Sequence, residues 1–442
     1  MGIIIAIIVA VIFAAMDASA SSAVMLGFTL LIGSMMCFDI PGKQRKDGFS
    51  LFAIVFCLYI SIAYIVSLSF SGHQFFYVSD SMRYIADYLG RTSFFFSTQD
   101  FYDCYFSFSD SNILFNAYLN EMAMIMNHHF GGMTVYSMTL CITMFGVYSS
   151  IFMYRIFLRH FDSKKAFRYV LIFSLCSPFF LYSTVIIRDI LICFLYIVAF
   201  DIIDRKFSVT GLILLIAVML LAWGVRLYSG IFISAFIWYY IFLSVRRTAF
   251  KAFGTVLTIF LGIVALSAVL GSALYVQTTE DLMGFEELSM ERSAGGVVSR
   301  LMSLPPGISN LAIVFFTMIR PLPPLAVYEG VASFSNFTIA SLSLISGFFW
   351  FVTFYMFVFM LVFNHQFKRM DFEKLLMLGI CFLFLFVNAA HPDFRRMLPV
   401  YPALYLLIMD GVNAPDNVRS AKRYRSVLII SYVIMALAFL AI

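Results

Sequence analysis

The stretch YSTVIIRDILICF, residues 182–194, joins two apolar runs at Arg188-Asp189, with no Gly, Pro or Ser cluster to mark a loop. An Arg-Asp pair set in hydrocarbon is costly, whereas at a water-reached end between two spanning helices it is cheap. The second reading requires that both runs cross a membrane, and the rest of the chain bears on that. Of 442 residues, 62% are hydrophobic and only 12% charged, with mean hydropathy +0.95. Apolar runs near spanning length, repeated through such a composition, predict a polytopic membrane protein. The runs are continuous and do not alternate with period two, so helices are expected and a β-barrel is not.

Apolar runs lie near 2–15, 22–38, 49–69, 133–154, 169–185, 190–204, 209–225, 229–245, 252–275, 338–363, 375–390, 397–410 and 426–442. The expected fold is therefore all-α, one integral-membrane domain over 1–442 built as a bundle of about thirteen helices. Two longer polar segments, 70–132 and 276–337, interrupt the pattern. In the first, NILFNAYLNEMAMIMNHHF carries too many polar residues to span and reads as a helix lying in the interface. In the second, 307–319 reads as an interfacial or re-entrant helix. The N-terminal run lacks the basic region of a secretory signal and reads as a retained first helix.

Charge placement orients the bundle. The short loops 40–48, 155–168, 205–208, 246–251, 364–374 and 411–425 hold 20 of the 29 Lys and Arg, including every lysine. The positive-inside rule makes these loops cytoplasmic, and the N-terminus with them. The opposite side keeps Arg83, Arg91, Arg188, Arg226, Arg292, Arg300, Arg320, Arg395 and Arg396, all arginine. Segments 70–132 and 276–337 become the two long extracytoplasmic loops. Scattered basic residues and a net charge of +5 give no nucleic-acid footprint, and the seven cysteines show neither disulfide nor zinc spacing.

A guanidinium is planar, permanently charged and matches phosphate oxygens bidentately, which an ammonium does not. Several outer arginines converging from different turns would suit a pyrophosphate at the membrane surface. Arg188, Arg226, Arg320, Arg395 and Arg396 are the candidates. The structural alternative is that each pairs with a nearby acid and anchors a helix end. His391, in HPDFRR, is a candidate proton acceptor, with helix capping or pairing to Asp393 as the plain alternative. In FYVSDSMRYIADYLG, Asp80, Tyr84 and Asp87 fall on one face if the segment is helical. That spacing equally fits a solvated amphipathic face.

SDSMRYIADYL in a polar outer loop, then SPFFLYSTVIIRDILICFLYIVAFDI, WGVRLYSG and finally DFRRMLPVYPALYLL give a chain that resembles the Wzy-type O-antigen or capsule repeat-unit polymerases. More distantly it resembles integral-membrane glycosyltransferases of the GT-C class. The resemblance implies a multi-pass protein of the bacterial inner membrane that works on the periplasmic face. It implies transfer of a growing glycan from its undecaprenyl-pyrophosphate carrier to the next lipid-linked repeat unit, without metal, nucleotide sugar or other cofactor. The partners implied are the undecaprenyl-pyrophosphate-linked donor and acceptor, membrane lipid and a chain-length regulator, with no nucleic acid. Carried onto this chain, Arg188 and Arg226 would hold the pyrophosphate, Arg395 or Arg396 would assist, and His391 or Asp80 would act as base. Two alternatives stand beside it. One is a GT-C glycosyltransferase using a polyprenyl-monophosphate sugar, with Asp80 as base. The other is a flippase or transporter for a lipid-linked oligosaccharide, against which the near absence of mid-span charge argues.

Overall fold

The computed structural model describes residues 2–68, 79–93, 97, 99, 102, 105, 113–246, 297–305, 307–321, 324–331, 333–390 and 394–440. The run expected at 252–275 and the candidate base His391 lie outside them. The described residues form helices and no strands. In chain order these are α1 (Gly2–Asp17), α2 (Ala20–Phe38), α3 (Arg45–Ser67), α4 (Ser79–Tyr88), α5 (Ile113–His129), α6 (Val135–His160), α7 (Ser163–Cys176), α8 (Pro178–Ser183), α9 (Arg188–Ile203), α10 (Val209–Val225) and α11 (Leu227–Arg246). There follow α12 (Val297–Met302), α13 (Ile308–Thr317), α14 (Phe334–Phe363), α15 (Phe372–Val387), α16 (Phe394–Met397), α17 (Tyr401–Asn413) and α18 (Val418–Leu440).

Five of the described helices, α2, α3, α6, α11 and α14, are long and apolar enough to cross a membrane alone. A sixth crossing is made if the stretch Arg395–Asn413 and Val418–Ala438, bent by 120°, counts as one span. The chain is a polytopic helical membrane bundle, with fewer self-sufficient spans than its thirteen apolar runs. Two physical causes account for four of the runs that do not span alone. The run 169–185 is cut at Pro178, which has no amide hydrogen, and Ser177 caps the new helix by accepting from the Phe179 amide at 3.3 Å. Helices α9, α10 and α15 have 16, 17 and 16 residues, so they rise about 24–26 Å against a hydrocarbon core of about 30 Å.

The most enclosed of the five is α6, which packs against α2, α3, α7 and α9. Its start is fixed by a reciprocal cap between Thr134 and Ser137. Peripheral helices turn apolar side chains outward instead: Ile4, Ile8 and Val11 on α1, and Val209, Ile213 and Leu221 on α10, are all exposed. Continuous apolar exteriors of this kind suit lipid contact. Gly146 on α6 positions the site described below. A Cβ there would collide with Ser183, so only glycine lets α8 seat this closely and deliver the chain to the turn before α9. The segment expected to lie in the interface is α5. It packs on α6 and α10, burying Phe115, Leu119 and Met126, with the Tyr118 hydroxyl donating to the Cys141 carbonyl at 2.8 Å.

Candidate functional site: an arginine cluster at the head of α9

The turn after α8 ends in extended backbone at Ile187, and α9 begins at Arg188. Asp189 falls in its first turn, where the helix dipole favours a carboxylate. Arg226 is the single extended residue between α10 and α11, a break that turns its side chain inward. Its Nη1 reaches Asp189 Oδ1 at 2.7 Å, and the two side chains are only 5% and 3% exposed. The same Nη1 donates to the Tyr228 hydroxyl at 2.7 Å, with the guanidinium 5.2 Å from that ring's centroid. Arg226 Nε is buried with no hydrogen-bond partner among the described residues.

Two further elements close on this pair. The short helix α16 carries Arg395 and Arg396, and the turn after it packs on α9, where Cys193 Sγ lies 3.5 Å from the Leu398 carbonyl oxygen. From the other direction comes α4, tied down by the Ser81 hydroxyl donating to the Ile186 carbonyl at 2.9 Å. Its Asp80 Oδ2 meets Arg395 Nη1 at 2.5 Å, across 315 residues of sequence. Tyr84, one turn along α4, stands edge-on to Phe115 at 5.0 Å and lies within the field of Arg188 and Arg226. Burial pushes the Tyr84 phenol above its ordinary pKa, although Arg188 pulls the other way, so the phenol stays protonated at neutral pH.

Arg226, Arg395, Arg188 and Arg396 all act electrostatically on Asp189. Arg188 itself makes no ion pair among the described residues and sits beside Arg226, Tyr84, Asp189 and Tyr228. The charge balance is therefore uneven. Four guanidiniums converge on a site with two carboxylates, Asp80 and Asp189, among the described residues. Positive charge gathered with little access to water is costly unless an anion meets it, and a guanidinium fork matches carboxylate or phosphate oxygens bidentately.

The opening question is thus answered by burial and pairing: Asp189 turns into the bundle as the counter-ion of Arg226. Of the residues singled out from sequence, Arg188, Arg226, Arg395, Arg396 and Asp80 come together here. Arg320 is carried by the turn after α13, its carbonyl against Gly347 of α14. Asp87 faces Arg83 at 3.5 Å instead of the cluster. Asp189 and Tyr228 went unassigned; the only signals for them were an acid beside Arg188 and a tyrosine two residues past Arg226. No group of three or more His, Cys, Asp or Glu that would hold a metal exists among the described residues. No protein-family model matches the chain, nor does any curated protein or solved structure.

Proposed function

We propose that this chain is a membrane glycosyltransferase that joins undecaprenyl-pyrophosphate-linked oligosaccharide repeat units into a surface polysaccharide, on the periplasmic face of a bacterial inner membrane. The observation that carries the reading is the convergence of Arg188, Arg226, Arg395 and Arg396 at the head of α9, with Arg188 in no ion pair among the described residues. A lipid pyrophosphate brings compensating negative charge on a carrier that stays in the bilayer. In the reaction an acceptor hydroxyl oxygen bonds to the anomeric carbon of the donor. The bond from that carbon to the phosphate oxygen breaks, and its electron pair leaves with undecaprenyl pyrophosphate. Arg188 and Arg226 stabilise the charge that gathers on the leaving group, the electrostatic contribution that usually dominates such steps. A carboxylate takes the hydroxyl proton.

One observation favours a second reading. Asp80 stands inside the cluster, where a GT-C enzyme using a polyprenyl-monophosphate sugar would need its base. The deciding experiment mixes purified protein in detergent with undecaprenyl-pyrophosphate-linked repeat units and resolves the products on a gel. A ladder of lengthening glycans is expected. Transfer of a single sugar from a polyprenyl-monophosphate donor, with no ladder, would move the assignment to the second reading. Inactivity with both donors would remove the glycosyltransferase proposal.

A further inference from the structure

The two ion pairs of the cluster differ in a way that assigns them different roles. Arg226–Asp189 is sealed, with side-chain exposures of 5% and 3%. Arg395–Asp80 lies at the rim, at 22% and 45%. The sealed pair also has its geometry fixed by Tyr228 and by the first turn of α9. The rim pair joins two short elements, the ten-residue α4 and the four-residue α16. A buried pair is costly to break, because it strands a charge out of water, while a solvent-reached pair is held by little.

We infer that Asp80 is a displaceable latch on Arg395: an arriving pyrophosphate takes over the guanidinium, and the released carboxylate becomes the base for the acceptor hydroxyl. This rests on the pyrophosphate reading above and deepens it. Phosphate oxygens offer Arg395 a stronger bidentate partner than one carboxylate oxygen does. The proton of the acceptor O–H then passes to Asp80 as the new glycosidic bond forms and the bond to the leaving phosphate breaks. The carboxylate is thus free to face the acceptor only once a donor is in place.

Full-length protein in nanodiscs tests this with inorganic pyrophosphate as the probe and turnover measured separately on lipid-linked units. In Asp80→Asn, removal of the competing carboxylate should tighten pyrophosphate binding, by up to about fivefold for a rim pair, while glycan transfer falls. The gain should vanish when Arg395→Ala is added, because no guanidinium is left to release. Asp87→Asn, on the same helix but paired to Arg83, should leave both readouts unchanged and controls for damage to α4. Weaker or unaltered pyrophosphate binding in Asp80→Asn, with wild type binding normally, overturns the latch and leaves the pyrophosphate site standing. No binding to the wild type or to either variant overturns both.

Discussion

The helix α9 carries an arginine cluster at each end, about 24 Å apart by its 16-residue rise, and the two differ in how their charge is balanced. At the tail, Asp201 takes Arg155 at 3.4 Å, Arg159 at 2.7 Å and also Arg205, while Asp204 takes Arg159 at 2.6 Å and His160 at 2.8 Å. Asp39 completes the set with Arg155 at 3.5 Å. Three guanidiniums thus meet three carboxylates. At the head, four guanidiniums meet two among the described residues. Arginine content alone does not mark a site, since both ends have it. The tail closes on itself and fastens α6 to α9, whereas at the head Arg188 is in no ion pair among the described residues.

The largest effects should separate the two ends by type. Asp201, 2% exposed, holds three arginines, of which Arg155 and Arg159 keep Asp39 and Asp204 and Arg205 reaches water, so Asp201→Ala should cost about 1–3 kcal/mol in stability. Thermal unfolding in detergent should drop sharply, while transfer per folded molecule stays near wild type. Lost turnover in fully folded protein would end the distinction between scaffold and site. At the head the expected pattern inverts. Arg188 leaves no carboxylate stranded when removed, so Arg188→Ala should unfold like wild type and lose about 10²–10³-fold in transfer, the scale of removing one donor to a developing negative charge. A destabilised Arg188→Ala with normal turnover would make Arg188 a helix anchor.

How far this contrast was legible in the sequence follows from what each part depends on. The spanning helices depend on local apolarity, so 22–38, 49–69 and 338–363 reappear as α2, α3 and α14 within a few residues. The break at Pro178 was local too, but the apolar residues on both sides of it hid the change of direction. Lysine on one side and arginine alone on the other was visible as a bias. The pairing behind it was not: Asp80 meets Arg395 across 315 residues, and Asp39 meets Arg155 across more than a hundred. Neither contact leaves a trace in the spacing of a single chain. Asp189 went unassigned for the same reason, since nothing in the spacing shows that folding gives it to Arg226.

A finer test asks whether charge or geometry matters at the head. Arg188→Lys keeps the charge and removes the fork. If phosphate oxygens are bridged, the lysine protein should fall roughly tenfold in transfer, about one charge-assisted hydrogen bond. Undiminished transfer would mean that a point charge is enough, and the all-arginine composition of this end would lose its chemical meaning.

The smallest expected effect sharpens the comparison from the other side. Arg369 and Asp416 form an ion pair at 2.9 Å with side chains 47% and 74% exposed, unlike the 2% of Asp201. Water screens such a pair and side-chain entropy opposes it, so Asp416→Ala should change stability by less than about 1 kcal/mol. Thermal unfolding at two salt concentrations measures this directly. If Asp416→Ala destabilised the protein as much as Asp201→Ala, burial would not be what makes the tail of α9 structural. The low exposure of Arg226 and Asp189 at its head would then no longer count in favour of a binding site.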